Sequence, residues 1–462
     1  MKVYRVITAL IIFLSVTACL FQSVCASDAD ETEKLIQRYQ KETKCKSVSV
    51  VVFEKGAVSY YGDSISLYQI GSMTKAFTAL AVQKLICEGI IDEDGVISDY
   101  IPGFKAYYDS EEADITVRNL LEQKSGYTNN EKDYPSTSAV MTLSEWADSI
   151  SGLKLKQRPG TEYAYSNVNY NLLGLIIENV SNMTYRDYMQ QEILNPLGLK
   201  NTFVGAPSDK RITEGTRLLY RHVSDYPMEV REASIPAGYF YSNTEDMGRW
   251  IGIWTEYIDV PKSIEKPLSK VREYLKEEGD YYSGWELFAD GIMGHSGGTP
   301  NYTSRIVFDK EDQTGVCVLS SLNVAATTDS LCNSIFDVLS GKAGTGLNKD
   351  IWTIFDEIFS AVTVVCMLLI PAVFFVKKRV PLIVTDVIFI SLLALVLILF
   401  PVIFGASMKE ILFIWAPLSL AGGLFTVIPV IAVTTVKLLK TKRNNNEDHN
   451  KAGKGQAVNG HN

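Results

Sequence analysis

Between Ile358 and Val436 the chain carries three long apolar stretches, Ile358–Val376, Val380–Phe404 and Ile411–Val436, and no other feature limits its fold so sharply. A hydrocarbon core about 30 Å thick is crossed by roughly 20 residues of helix. Each stretch is long enough. Prolines 371, 401, 417 and 429 interrupt them, which membrane helices tolerate when neighbours satisfy the freed carbonyls. Lys377-Lys378-Arg379 separates the first two stretches, and Gly405-Ala406-Ser407-Met408-Lys409-Glu410, without net charge, separates the second from the third. Lys437, Lys440, Lys442 and Arg443 follow. Basic loops stay in the cytoplasm. The first span is therefore expected to run inward, the second outward, and the third to end inside. That order puts residues 27–341 outside the cell membrane and the tail, 437–462, in the cytoplasm. Asp386, near the cytoplasmic end of the second span, reads as an interfacial carboxylate rather than a polar relay. The Asn-, Lys- and Gly-rich tail reads as disordered.

The other end of the chain agrees. Lys2 and Arg5 precede an apolar run from Val6 to Leu20, then Val24-Cys25-Ala26 and an acidic stretch, the pattern of a secretory signal over residues 1–26. Two alternatives, lipidation at Cys19 and an uncleaved anchor, export the next domain equally. At 462 residues more than one domain is expected. Residues 27–341 have the composition of a folded extracytoplasmic domain, 342–357 that of a linker, and 358–436 hold the spans. A net charge of -9 opposes nucleic acid as a partner. Cys45, Cys87, Cys317 and Cys332 allow one bridge in an oxidising compartment. With only His222 and His295 in the exported domain, no metal or cofactor is expected. His222 reads as a surface or packing residue.

Along that domain, Glu31–Lys44 has an amphipathic helical pattern. Ser47–Phe53 and Ala57–Tyr61 flank a Glu54-Lys55-Gly56 turn as a hairpin. A helix is predicted from Ser72 to Glu88, and helical periodicity recurs at Val117–Glu122, Leu143–Ile150 and Tyr170–Val180. Strands follow at Ser304–Phe308 and Thr314–Ser320, then a helix near Thr328–Leu339. The expected class is α/β (α+β): one antiparallel sheet built from both ends, with a helical insertion, ahead of three membrane helices.

Three short motifs carry chemistry. Ser72-Met73-Thr74-Lys75 opens a helix, and three residues is nearly one turn, so the hydroxyl and the amine share a face. A serine needs a base to become a nucleophile, and a lysine kept neutral by burial can be that base. Tyr165-Ser166-Asn167 follows a Pro159-Gly160 loop. A tyrosine near an ammonium can exchange protons and Asn167 can bind an amide, although a helix cap would explain the same residues. Gly294-His295-Ser296-Gly297-Gly298 fits the nucleophile elbow of another hydrolase class, with Ser296 as nucleophile. That elbow must enter a helix and be followed by its histidine. Here a Thr-Pro-Asn-Tyr turn and strands follow, so the elbow is rejected. Trp285 and the tyrosines around Gly284 read as cleft lining or as core.

Ser72-x-x-Lys75, Tyr165-x-Asn167 and His295-x-Gly297, in that order, resemble the serine β-lactamase-like hydrolases, in the branch of class C β-lactamases, D-Ala-D-Ala carboxypeptidases, D-aminopeptidases and related esterases. Leu120–Gly126, Pro159-Gly160, Asn195–Leu199 and Gly294–Pro300 extend the likeness over about residues 47–339. The resemblance implies a β-lactamase/transpeptidase-like fold, with Ser72 as acylated nucleophile and Lys75 and Tyr165 as a coupled acid/base pair. It further implies that Asn167, His295, Gly297 and Gly298 bind substrate, the N–H groups of Ser72 and Gly298 forming the oxyanion hole. His295 replaces the lysine of many relatives, and a neutral imidazole holds a carboxylate less well than an ammonium. The layout resembles membrane-anchored prodrug-maturing peptidases and penicillin-binding-protein-like proteins. The implied substrate is a peptide-like or cell-wall-derived amide, with a D-residue. Two rivals share the same residues: a penicillin-binding-type sensor, disfavoured by a short tail with no docking domain, and an esterase.

Overall fold

The computed structural model describes residues 30–130, 134, 138–278, 280–288 and 291–458. The signal reading, with Cys19 and Cys25, lies outside them. Contacts divide the chain into two units. The first holds the described residues up to Asn129, from Tyr134 to Thr216 and from Asp225 to Asp350; the second holds Asn130, 217–224 and the described residues from Ile351.

In the first unit, Val48–Glu54 (β1) is buried almost throughout, which suits a strand covered on both faces. It pairs with Ala57–Tyr61 (β2) across the expected turn and with Thr314–Ser320 (β7) on its other side. Tyr281–Tyr282 (β3), Trp285–Leu287 (β4), Met293–Thr299 (β5) and Tyr302–Asp309 (β6) complete the sheet. The order is β3-β4-β5-β6-β7-β1-β2, antiparallel throughout. Both ends of the domain thus share one sheet, as expected.

Helix Ala325–Leu339 and the helix spanning 30–43 cover one face, joined where the Tyr39 hydroxyl bonds Ser320 and Thr328 at 2.8 and 2.9 Å. On the other face lies an aromatic core. Trp250 stacks on Phe77 at 4.2 Å, and Trp285 meets Phe308 edge-on at 5.0 Å. Trp285 is therefore core. Phe77 belongs to Thr74–Cys87 (α1), buried from Thr74 to Leu85. A helix buried all round can only be central. The helical insertion contains Val117–Leu121, Leu143–Ile150 and Asn167–Ser181 (α2). The last begins three residues before its apolar periodicity, because Ser166 caps it: its Oγ accepts the Val168 N–H. Cys45, Cys87, Cys317 and Cys332 are free thiols, so the bridge that export would permit is not formed.

The linker reading needs correction. Residues 342–350 have no helix or strand, yet they are tied to Ala325–Leu339 (α3). Ser334 Oγ donates to the Gly346 carbonyl, the Asn348 N–H donates to Ser330 Oγ, and the Asp350 carboxylate accepts the Ala326 N–H at 2.9 Å. An orphan donor at a helix N-terminus needs such an acceptor. Residues 351–357 are helical.

The second unit has three helices long and apolar enough to cross a membrane: Ile351–Val373 (α4), Arg379–Ile403 (α5) and Leu418–Lys442, the last being part of Leu418–Val458 (α6). The first starts before the expected Ile358. The third starts after the expected Ile411, because Ala416 is extended ahead of Pro417 and ends the turn Ile411–Trp415. The freed carbonyls of Leu412, Phe413 and Ala416 take three hydrogen bonds from the buried Arg217, at 2.7, 3.0 and 2.6 Å. Asp386 is buried and accepts hydrogen bonds from Thr434 and Thr435. It ties two helices together. Lys437 likewise donates to the Val373 and Phe374 carbonyls, capping α4. The tail, expected to be disordered, continues as helix to Val458; no proline follows Pro429, and its Lys, Glu and Ala are good helix formers. His222 is exposed, as expected.

Candidate active site

Ser72 sits in the single turn Gly71–Met73 that opens α1. Gly71 has φ +51°, and a Cβ there would lie 2.4 Å from the Gly298 nitrogen. A Cβ on Gly297 would lie 2.0 Å from the Ile70 carbonyl oxygen. Two glycines thus let β5 run against the serine turn. A Cβ on Gly298 would meet nothing within 4 Å, which leaves open space beside its N–H.

Lys75, one turn on, is fully buried. Its Nζ lies 3.0 Å from Ser72 Oγ, 2.7 Å from Asn167 Oδ1 and 2.7 Å from the Ala237 carbonyl oxygen. The two carbonyl oxygens can only accept, so each takes an N–H. A neutral amine has two hydrogens and one lone pair, and that lone pair then faces the Ser72 hydroxyl. Burial holds the amine well below its ordinary range, which favours this neutral form.

The Tyr165 hydroxyl interacts with Ser72, and Lys75 Nζ lies 4.9 Å from the Tyr165 ring centre. Burial raises its pKa, a rise that the Ser72 hydrogen bond opposes. The phenol therefore keeps its proton and is an acid in the resting site. The helix-cap reading of this motif holds: Ser166 caps α2, while Asn167, its first residue, reaches Lys75.

What holds Tyr165 in place escaped sequence reasoning. Gln123 has φ +58° and is fully buried. Its carbonyl accepts the Ala164 N–H at 2.8 Å, while its Oε1 accepts the Ser166 N–H at 3.0 Å and an N–H of the Asn169 amide. Left-handed backbone at a bulky residue persists only where surroundings compensate. Gln123 lies inside the Leu120–Gly126 stretch, a signal that pointed to the place but not to the role. The Ala237 carbonyl left no signal at all, since any residue supplies one.

On β5, alternate side chains face opposite ways. His295 is 3% exposed and turns toward Tyr165, the ring centres 6.2 Å apart. Its Nδ1 lies 2.6 Å from the Ser296 carbonyl oxygen. That oxygen only accepts, so Nδ1 carries the proton and Nε2 the lone pair. Nε2 is buried without a hydrogen-bond partner. Burial, above all, lowers the imidazole to about 3. Ser296 points the other way, its Oγ donating to Asp329 at 2.9 Å and accepting from Arg305 at 2.8 Å. It sits mid-strand and is no elbow.

Tyr281 lies between this site and a cavity of about 720 Å³. Its ring is 6.3 Å from that of Tyr165 and 5.9 Å from that of His295, and it lines the cavity together with Tyr163, Glu122, Lys124, Asp280 and Glu286. Among the described residues no group of three or more His, Cys, Asp or Glu could hold a metal ion.

Known proteins resemble this chain in sequence or in fold. "Protein flp" of Staphylococcus aureus (strain MW2) is 33% identical over 268 residues, 55% of this chain and 53% of its own length. A putative D-alanyl-D-alanine carboxypeptidase of Salmonella paratyphi B is 33% identical over 146 residues, 30% of this chain and 34% of its own. The chain thus spans about half the length, or less, of these curated relatives. In three dimensions, the octameric penicillin-binding protein homologue from Pyrococcus abyssi superposes with a TM-score of 0.61 at 24% identity, covering 72% of this chain and 81% of that one. A class C β-lactamase gives 0.59 at 16%, covering 69% and 97%. Such low identities speak for the fold alone. The family described as Beta-lactamase matches residues 32–333, well over half of the sequence. The chain belongs to the beta-lactamase family of serine hydrolases.

Proposed function

We propose that this protein is a membrane-anchored hydrolase, its catalytic domain outside the cytoplasm, that cleaves amide bonds of peptide-like, D-residue-containing substrates through an acyl-enzyme on Ser72. The surroundings of Lys75 carry the reading: its buried Nζ lies 3.0 Å from Ser72 Oγ and 2.7 Å from each of two carbonyl oxygens, so that in the neutral form, which burial favours, two hydrogens meet the carbonyls and the lone pair meets the nucleophile. As Ser72 Oγ attacks the carbonyl carbon, Lys75 takes its proton. The oxyanion is held by the N–H groups of Ser72 and Gly298. Tyr165, a protonated phenol, gives its proton to the departing nitrogen and regains one from the Lys75 ammonium, so both groups end as they began. Water then attacks the acyl carbon, its proton passes to the same pair, and Ser72 Oγ is reprotonated as the acid leaves. The relative described as a putative D-alanyl-D-alanine carboxypeptidase supports a D-residue beside the scissile amide, though not the end of the substrate, and the three apolar helices support the anchor.

The test is covalent labelling by a fluorophosphonate and by a penicillin probe. Ser72→Ala should abolish both, and Ser296→Ala should leave both. Labelling that survives the first change and vanishes with the second would overturn the mechanism.

A further inference from the structure

Resting on that reading, a narrower one concerns what the substrate presents to His295. Its Nε2 is an acceptor, because Nδ1–H is spent on the Ser296 carbonyl, and it is buried with no donor to meet it among the described residues. A buried acceptor without a partner is costly, and the cost is relieved when a ligand brings a donor. A carboxylate brings none. Nor, among the described residues, do the neighbouring side chains offer it an anchor. Ser296 is turned to the opposite face and bonded to Asp329 and Arg305. The Arg305 guanidinium is held by that serine, with Glu286 3.8 Å away. The Lys75 amine already contacts three oxygens of the protein. Past Tyr281, among the described residues that line the cavity, Asp280, Glu286 and Glu122 stand against one lysine, Lys124, itself paired with Glu122 at 2.9 Å. Its field repels an anion.

We infer that this hydrolase selects substrates that place an N–H or O–H donor against His295 Nε2, and turns away those that place a free carboxylate there. The substrate class narrows accordingly: amides whose chain continues past the scissile bond or ends in an uncharged or cationic group, rather than peptides ending in a carboxylate one residue beyond it. His295 is the specificity-determining residue. The partner it lacks within the fold is the one the substrate supplies.

The experiment uses the full-length protein in detergent and two N-acyl peptides identical except at the end, one a carboxylate and one a carboxamide. The carboxamide should be cleaved about 10- to 100-fold better in kcat/KM, the span expected when a buried acceptor gains or lacks its donor. His295→Lys should bring the ratio to unity or invert it, while His295→Gln, whose Oε1 can still accept, should keep the preference. Equal or faster cleavage of the carboxylate peptide by the unaltered protein overturns the inference, as does an unchanged ratio in His295→Lys. Fluorophosphonate labelling of Ser72 is read alongside in every variant. If His295→Lys fails to label, the unaltered protein and His295→Gln decide. If the unaltered protein neither labels nor cleaves either peptide, the hydrolase reading falls and this one with it. Normal labelling with the wrong preference removes this inference alone.

Discussion

Gly71→Ala is the sharpest single test of how the serine turn and β5 make one site. Two costs follow from the geometry. Alanine at φ +51° enters the left-handed region, worth about 1–2 kcal/mol. The added Cβ would also lie 2.4 Å from the Gly298 nitrogen, where ordinary contact begins at 3.4 Å, so the turn and the strand must separate by about 1 Å. The atoms in the way are backbone and cannot rotate aside. Separation moves the Gly298 N–H away from the oxyanion position that the Ser72 N–H shares. A misplacement of about 1 Å costs roughly 10²-fold, and loss of an oxyanion donor about 10²–10³-fold. Labelling by a fluorophosphonate should therefore slow by about 10²–10³-fold, with helical content by circular dichroism retained. Gly103→Ala is the control. It has φ +85° with nothing within 4 Å of the new Cβ, so it bears the backbone cost without the clash. If Gly71→Ala labels within a few-fold of the unaltered protein, or slows no more than Gly103→Ala, the oxyanion is not held between Ser72 and Gly298.

Tyr165→Phe should lower turnover by about 10²–10⁴-fold, the usual span for a general acid, with the melting temperature little changed; a few-fold loss would make the tyrosine structural. His295 ties stability to pH. Its pKa is about 3 in the fold against 6.5 ordinarily, so between those values the unfolded chain binds the extra proton. Its contribution is present above pH 6.5 and is lost as pH falls toward about 3, by at most about 1.4 kcal/mol per pH unit. Thermal melts at several pH values in that window should fall more steeply for the unaltered protein than for His295→Gln, and parallel curves would mean that the imidazole is not kept neutral. For topology, Lys378→Cys should resist an impermeant thiol reagent on intact cells and Ser407→Cys should react. The reverse pattern would put the catalytic domain inside.

Much of this site was legible in the sequence because its chemistry is local. Ser72 and Lys75 are one helical turn apart wherever that helix goes, and spacing alone put them on one face. Apolar length and basic loops marked three candidate spans, and β-branched runs marked β1, β6 and β7, because backbone hydrogen bonding and burial impose those patterns directly. The boundaries slipped where a side chain outvoted periodicity: Ser166 starts α2 early, Pro417 starts the third span late, and Asp350 ties down a stretch that reads as linker.

Other features depended on distance in the chain. Gln123 holds the neighbours of Tyr165 by its backbone C=O and its side-chain Oε1, and the backbone N–H groups it meets carry no residue code; the Ala237 carbonyl that shares the Lys75 amine is equally silent. The tautomer of His295 is decided by which carbonyl lies 2.6 Å from Nδ1, and the fate of Ser296 by the face of β5 on which it falls. The sequence by itself determined which reactive groups exist and which of them are neighbours along one helix. Only the tertiary structure decided which is buried, which is neutral and which lacks a partner, because desolvation and hydrogen-bond satisfaction depend on atoms that the chain brings together from far apart.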